Sequence, residues 1–137
     1  MVKLIENPIN PATVYSSICS AFSGSVVFHY AVVKQKAGSG KSTTFIEYRA
    51  SEDTVQEMDG IARQLEQRWN LEDVLIVRRI GCLAVGEIIS LVAASSPNSE
   101  DAFEACKFGI DSVKKMTTIC KTENLSDITE LKKGEQI

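Results

Sequence analysis

Two segments in the first third of the chain have the hydrophobic pattern of β-strands. Residues 24–33, GSVVFHYAVV, are rich in β-branched and aromatic side chains, and Phe45 and Glu47 alternate with Ile46 and Tyr48 in residues 43–49. A polar, glycine-rich stretch, KQKAGSGKS, separates the two segments. The pattern predicts two strands that form a hairpin with a long tip.

From residue 51 the period of the apolar residues changes to that of a helix. They recur three or four positions apart, at Val55, Met58, Ile61, Ala62, Leu65 and Trp69. Ser51 or Asp53 can cap the first turn with a side-chain oxygen. This segment is therefore predicted to be an amphipathic helix.

The second half of the chain continues with two apolar segments and a second amphipathic pattern. Residues 73–81 and 87–96 are predicted strands joined by a short link that contains Gly81 and Gly86. A second helix is predicted to begin near Asn98 or Ser99. The residues of its inner face are Ala102, Phe103, Cys106, Ile110 and Val113. The polar residues 122–137 are predicted to be a mobile tail or a short helix.

The order β-β-α-β-β-α predicts an α+β fold in which helices cover a largely antiparallel sheet. A length of 137 residues with 44% hydrophobic side chains indicates a single domain over residues 1–137. The net charge of −3 provides no global basic field, so we expect no nucleic-acid or membrane partner. No apolar run reaches the ~18 residues of a membrane span and no signal peptide is recognisable, so we expect a cytoplasmic protein.

Cysteine and histidine are too few and too scattered to predict a metal centre. The four cysteines include no C-x-x-C pair, and His29 is the only histidine. We interpret the cysteines as buried free thiols, and His29 as a packed or interface residue because it alternates with Val27 and Ala31. We expect no metal and no cofactor.

The sequence GSGKST at residues 38–43 is similar to the end of a nucleotide-binding P-loop. Gln35 stands where the motif needs its first glycine. The residues after Ser42 favour a strand, whereas a P-loop requires a helix whose N-terminus points at the phosphates. We therefore interpret this stretch as a flexible hairpin tip.

Short motifs spread over most of the chain occur in a recognisable order. They are VKLIENPINP at 2–11, GSVVF at 24–28, IEY at 46–48, RW at 68–69, RRIGCLAVGE at 78–87, AFEACKFGIDSVK at 102–114 and ICKTE at 119–123. Together they resemble the large, catalytic subunit of molybdopterin synthase.

The resemblance implies a sulfur transferase of molybdenum cofactor biosynthesis. In that family the large subunit forms a homodimer within a heterotetramer, and each copy receives the C-terminal Gly-Gly tail of a small ubiquitin-like subunit that carries a thiocarboxylate. Two sulfurs are delivered to cyclic pyranopterin monophosphate, which becomes the dithiolene of molybdopterin. The step needs neither metal nor nucleotide.

The family's two important lysines correspond to Lys114 and Lys121. The resemblance implies that Lys114 is a general acid/base or nucleophile and that Lys121 binds anionic groups and tunes its neighbour. Glu123, close behind them, has a supporting role. An amine of lowered pKa suits chemistry that opens a cyclic phosphate.

Three further basic residues are implied in substrate binding. Arg79 matches the arginine of a family His-Arg pair and could bind a phosphate bidentately. Arg78 stands in place of the histidine of that pair, and Lys34 in place of a family arginine.

Other positions depart from the family pattern. Asn98 and Ser99 replace a second His-Arg pair, Thr118 replaces a proline, and Cys120 replaces a tryptophan that could stack on the pterin.

Three hypotheses follow. The first is an active, divergent synthase subunit, which we favour because both lysines and Glu123 are present. The second is a non-catalytic or repurposed homologue that binds a ubiquitin-like tail without making molybdopterin. The third is a P-loop nucleotide enzyme, which the analysis of residues 38–43 disfavours.

Overall fold

The computed structural model describes residues 1–18, 20–35, 37–38 and 41–127, without the side chains of residues 37, 38, 41, 126 and 127. The elements, in chain order, are β1 (Val2–Ile5), a 3₁₀ turn (Pro11–Thr13), α1 (Tyr15–Ile18), β2 (Ser25–Val32), β3 (Ala37–Gly38), β4 (Lys41–Ala50), α2 (Thr54–Arg68), β5 (Asp73–Arg79), β6 (Gly81–Ala84), β7 (Ile88–Ser96), α3 (Ser99–Lys114) and β8 (Ile119–Asp127). Among the described helices, none has the length and apolar character needed to cross a membrane.

The first sheet has the strand order β1-β5-β7-β2, and only the β1–β5 pair is parallel. Its central strands, β5 and β7, consist largely of buried residues, because both faces of this sheet are covered. Helices α2 and α3 pack on one face, and the N-terminal turn and α1 pack on the other.

The helix-covered face contains the largest described part of the core. Met58 and Leu65 of α2 and Val74, Ile76 and Val92 of the sheet are almost fully buried there. At Gly109 helix α3 comes so close that an added Cβ would lie 2.9 Å from Val92 Cγ1. The absence of a side chain at this position therefore permits the close packing of helix on sheet.

The second sheet is built around β4, which pairs antiparallel with β3, β6 and β8. Its inner face contributes Ile46, Tyr48 and Leu83 to a separate cluster with Val33. The chain enters this sheet from β5 at Gly81 and leaves it near Gly86, with φ angles of +103° and +90°. Glycine adopts such left-handed conformations without steric cost, so these two residues allow the chain to change sheets.

The predicted α+β class and its dominant antiparallel pairing are confirmed, although the strands form two sheets. Both predicted helices are confirmed, and Asn98 caps α3 through its side chain. Asp53 is the N-cap residue of α2 but makes no side-chain cap bond. Two predicted inner-face residues are wrong, since Val55 and Phe103 are exposed.

The predicted hairpin is wrong. Strand β2 pairs with β7 in the first sheet, whereas β4 belongs to the second. Strand β2 carries apolar side chains toward both faces, with Val27 toward the helices and Phe28 toward the opposite cluster. Such a strand needs cover on both sides, and the first sheet provides it.

Four strands differ from the sequence-based expectation, and two of them, β1 and β3, lie in segments for which no strand is predicted. The link between β5 and β7 contains β6, and the polar residues 122–127, expected in a tail or short helix, belong to β8. Strand β8 exposes much of its length, so its sequence lacks the alternation by which strands are recognised. Residues 128–137 lie outside the described part of the chain.

The stretch that is similar to a P-loop leads into β4, as the sequence predicts, and no helix follows it. Its residues 39 and 40 are not described. Strand β4 stands where a P-loop requires the helix whose N-terminus binds the phosphates.

Replacing Leu65 tests the core on the helix-covered face. Leu65→Ala should lower the free energy of unfolding by about 2–5 kcal/mol, because it removes a fully buried side chain and leaves a cavity. Chemical denaturation measures the change. Gln64→Ala, at an exposed neighbouring position of α2, is the control and should stay within about 0.5 kcal/mol of the parent. A loss below about 1 kcal/mol for Leu65→Ala would contradict this packing.

Candidate active site

A cavity of about 370 Å³ opens where the two sheets meet the C-terminal end of α3. Its apolar lining comes from β2, β7, the end of α3, Met116 and the first residue of β8. Its polar lining consists of Tyr48, Arg78, Ser90, Lys114 and Lys121. The cavity thus has the size of a small-molecule site and a polar side that is rich in cations.

Arg78 is the deepest of these cations. Its Nε atom is buried and has no hydrogen-bond partner among the described residues, and its Cζ atom lies 4.3 Å from the centroid of the Tyr48 ring. Burial lowers the pKa of the Arg78 guanidinium. The charge interaction and the hydrogen bond with Tyr48 raise this pKa, but by less. An arginine still remains charged at neutral pH, so a cation whose Nε has no described hydrogen-bond partner lines the cavity.

Lys114 and Lys121 approach the same cavity from two elements. Lys114 is the last residue of α3, and Lys121 lies on β8 opposite Tyr48 of β4. The structure therefore brings together Lys114, Lys121 and Arg78, all three predicted from the sequence. No carboxylate belongs to the described lining, so the local field is positive in a chain whose net charge is −3.

Arg79 is not part of this group. It forms an ion pair with Glu87, and its Nε donates a hydrogen bond to the carbonyl of Glu6 at 3.1 Å. The hydrogen bond that Arg79 donates to the Glu87 carboxylate within the ion pair is the main cause that lowers the pKa of Glu87. Successive side chains of a strand point to opposite faces, so Arg78 and Arg79 serve different surfaces.

The remaining predicted residues lie near the cavity without lining it. Lys34 is exposed, two residues beyond Val32 at the cavity wall. Glu123 follows Lys121 on β8 and accepts a hydrogen bond from Thr43 Oγ1 at 2.5 Å, which ties β8 to β4. His29 is partly buried on β2 and is also outside the lining.

The departures at residues 98 and 99 are remote from the cavity of the same chain. Asn98 accepts a hydrogen bond from the Asp101 amide at 2.9 Å at the start of α3, whereas Lys114 ends that helix. The 16 residues of α3 correspond to about 24 Å of helix. Neither Asn98 nor Ser99 therefore alters this cavity within one chain.

The cysteines differ in exposure. Cys106 is buried as predicted, and burial raises the pKa of its thiol to about 11. The prediction of buried thiols is wrong for Cys82 and Cys120, which are exposed on the second sheet, and Cys19 lies outside the described residues. Cys120 does not line the cavity. Among the residues described, no three His, Cys, Asp or Glu side chains are grouped to hold a metal ion.

Two polar residues of the lining, Tyr48 and Ser90, are not predicted from the sequence. Tyr48 supports Arg78, and its spacing of two residues from Ile46 puts both side chains on the same face of β4. Ser90 is a buried polar residue within the apolar strand β7. A polar residue in a strand that is otherwise buried on both faces was the available signal.

Comparison with known proteins identifies the family. The model of the family described as MoaE protein matches residues 4–116, which include Arg78 and Lys114. The chain belongs to the MoaE protein family.

Relatives within this family have consistent names. The molybdopterin synthase catalytic subunit of Pyrococcus abyssi is 32% identical over 89% of this chain and 84% of its own length. That of Bacillus subtilis is 29% identical over 91% of this chain and 80% of its own length.

Solved structures agree with this assignment. Molybdopterin synthase from Staphylococcus aureus superposes with a TM-score of 0.84 at 27% identity, covering 90% of both chains. A second match is a complex of subunits 1 and 2 of the molybdopterin-converting factor from Helicobacter pylori. It is 12% identical, has a TM-score of 0.73, and covers 94% of this chain and 90% of its own chain. At this identity the match shows the shared fold.

Replacing Arg78 separates anion binding from folding. Arg78→Met should weaken the binding of inorganic phosphate by about tenfold, because it removes a charged hydrogen-bond donor. The free energy of unfolding should stay equal or rise by about 1 kcal/mol, because a partly buried cation without a carboxylate partner is replaced by an apolar side chain. Calorimetric titration and denaturation measure the two effects.

Arg63→Met, on the exposed side of α2, is the matched control and should leave phosphate binding unchanged. Unaltered phosphate affinity in Arg78→Met, together with a loss of stability, would show that the arginine serves packing on Tyr48 instead.

Proposed function

We propose that this chain is a molybdopterin synthase catalytic subunit that transfers sulfur in molybdenum cofactor biosynthesis. Membership of the MoaE family and the names of its relatives support this assignment. The single structural observation that carries it is the cavity in which Arg78, Lys114 and Lys121 converge without a carboxylate. A phosphate-bearing pterin needs such a positive environment.

The proposed substrate is cyclic pyranopterin monophosphate. A cavity of about 370 Å³ lies within the range of small-molecule sites. Arg78 would bind the phosphate, and the Tyr48 ring and the apolar wall would contact the pterin. Lys114 and Lys121, which are exposed and also line the cavity, would then be free to act on the bound substrate.

Lys114 is the proposed general acid/base or nucleophile, and Lys121 is the proposed anion-binding neighbour. An amine can transfer a proton while the cyclic phosphate opens and can stabilise negative charge that develops at the sulfur donor. Lys34, Arg79 and Glu123 lie outside the lining of the cavity, so the roles in substrate binding predicted for Lys34 and Arg79 and the supporting role predicted for Glu123 stay predictions.

The proposed sulfur donor is a small ubiquitin-like subunit whose C-terminal Gly-Gly ends in a thiocarboxylate. The Helicobacter pylori structure contains subunits 1 and 2 of the corresponding factor, which supports a two-subunit enzyme. We further propose a homodimer of this chain within a heterotetramer, and a cytoplasmic location.

Reconstitution tests the activity. The chain, a thiocarboxylated small subunit and the cyclic pterin should yield the dithiolene product, detected after oxidation by its fluorescence. Lys114→Ala should lower the rate by about 10²-fold or more, as expected for the loss of a group that transfers protons. Lys115→Ala is the matched control, because Lys115 is the exposed neighbour that does not line the cavity.

The outcome also separates the two main hypotheses. Binding of the small subunit without any product would favour the homologue that docks a ubiquitin-like tail and would refute the synthase. Equal activity of Lys114→Ala and Lys115→Ala would refute the role given to Lys114.

A further inference from the structure

The first turn of α2 contacts the segment that joins α3 to β8. Both carboxylate oxygens of Glu57 accept hydrogen bonds there. Oε2 accepts from the Thr117 amide at 3.1 Å and from its hydroxyl at 3.3 Å. Oε1 accepts from the Thr118 amide at 3.2 Å and from its hydroxyl at 2.7 Å. One side chain thus fixes two consecutive residues.

A second residue of the same turn completes the contact. Thr54 is fully buried, and its hydroxyl donates to the Thr118 carbonyl at 3.1 Å while it accepts from the Ser51 amide at 2.9 Å. The amide, hydroxyl and carbonyl of Thr118 therefore all form hydrogen bonds with side chains of the first turn of α2. This part of the backbone has little freedom to move relative to the helix.

The fixed segment lies between the two lysines of the cavity. Lys114 precedes it at the end of α3, and Lys121 follows it on β8, while Met116 and Ile119 form part of the cavity wall. A displacement of residues 117–118 would act on the end of α3, which carries Lys114, and on the start of β8, which leads to Lys121. Glu57 itself does not belong to the described lining.

We propose that Glu57 is a positioning residue, which sets the relative placement of Lys114 and Lys121 by holding Thr117 and Thr118. Its part in sulfur transfer rests on the proposed function, whereas its effect on the anion-binding geometry of the cavity does not. Misplacement of reacting groups by about 1 Å can slow an enzyme about 10²-fold, so a hydrogen-bonded support at this point has a large influence.

The bonding pattern requires a carboxylate. Burial acts to raise the pKa of Glu57, but the hydrogen bonds of Thr118 and Thr117 outweigh it, so its pKa is lower than usual. The two backbone amides can only donate and face one carboxylate oxygen each, and the amide nitrogen of a glutamine cannot accept a hydrogen bond. Glu57→Gln keeps the shape of the side chain and loses half of this support.

The test compares Glu57→Gln with Glu66→Gln, which makes the same charge change at an exposed position of the same helix. Amide hydrogen exchange at Thr117 and Thr118 should become faster only in Glu57→Gln. Affinity for inorganic phosphate should fall by about three- to tenfold, because two of the three cations are displaced. In the reconstituted reaction kcat should fall on the order of 10- to 100-fold with a smaller change in KM.

A purely structural contact gives a different result. Faster exchange in Glu57→Gln with phosphate affinity and kcat equal to those of Glu66→Gln would overturn the proposal. If the parent chain makes no dithiolene, the proposed function fails, and the phosphate affinities alone then decide whether Glu57 positions the cations.

Thr118→Val provides an independent variant in case Glu57→Gln does not fold. It removes the 2.7 Å hydroxyl bond but keeps the carboxylate and the side-chain shape. It should weaken phosphate binding in the same direction, and its effect should not add to that of Glu57→Gln, because both changes break the same contact. Phosphate affinity equal to that of the parent would count against the proposal.

Discussion

The passage of the chain between the two sheets at Gly81 determines how the cavity is built. The left-handed φ of Gly81 lets the chain leave β5 and pair at once with β4, where Gly81 lies opposite Tyr48. Arg78, three residues earlier, is thereby brought over the Tyr48 ring. The edge between the sheets, the aromatic support and the deepest cation of the cavity therefore all follow from one backbone conformation.

Burying Arg78 in the cavity is unfavourable for folding, but it places a cation where a ligand can bind. Removing part of a guanidinium from water without a carboxylate partner is unfavourable, and contact with an aromatic face offsets only part of that cost. Proteins retain such unsatisfied groups mainly where a ligand completes them. The two lysines differ from Arg78, because both are exposed. Lys114 is placed by the end of α3, and Lys121 by the pairing of β8 with β4.

The hydrophobic pattern of the sequence was sufficient to predict those helices and strands whose side chains are strongly buried. The periods of α2 and α3 and the apolar runs of β2, β5 and β7 identified those elements, because their buried faces fix the residue types. Strand β6 is short and β8 is mostly exposed, so neither carries such a pattern. The pairing of the strands could not be predicted in this way. It depends on which sheet is covered on both faces, and that information is spread over the whole chain.

The site was predictable to a similar extent. Resemblance identified Lys114, Lys121 and Arg78, which the structure brings together, and alternation along β5 could have separated Arg78 from Arg79. Glu57 could not be found in this way. Its partners lie 60 and 61 residues away, and only the packing of α2 beside the end of α3 brings them into contact.

The length of α3 has an electrostatic consequence for the two ends of that helix. Its start and its end are separated by about 24 Å. This is roughly three times the screening length of ~8 Å at physiological ionic strength. Within one chain, the uncharged side chains of Asn98 and Ser99 therefore leave the electrostatic potential at Lys114 unchanged. The potential at the cavity is set locally, and the surface at the start of α3 can change its charge independently.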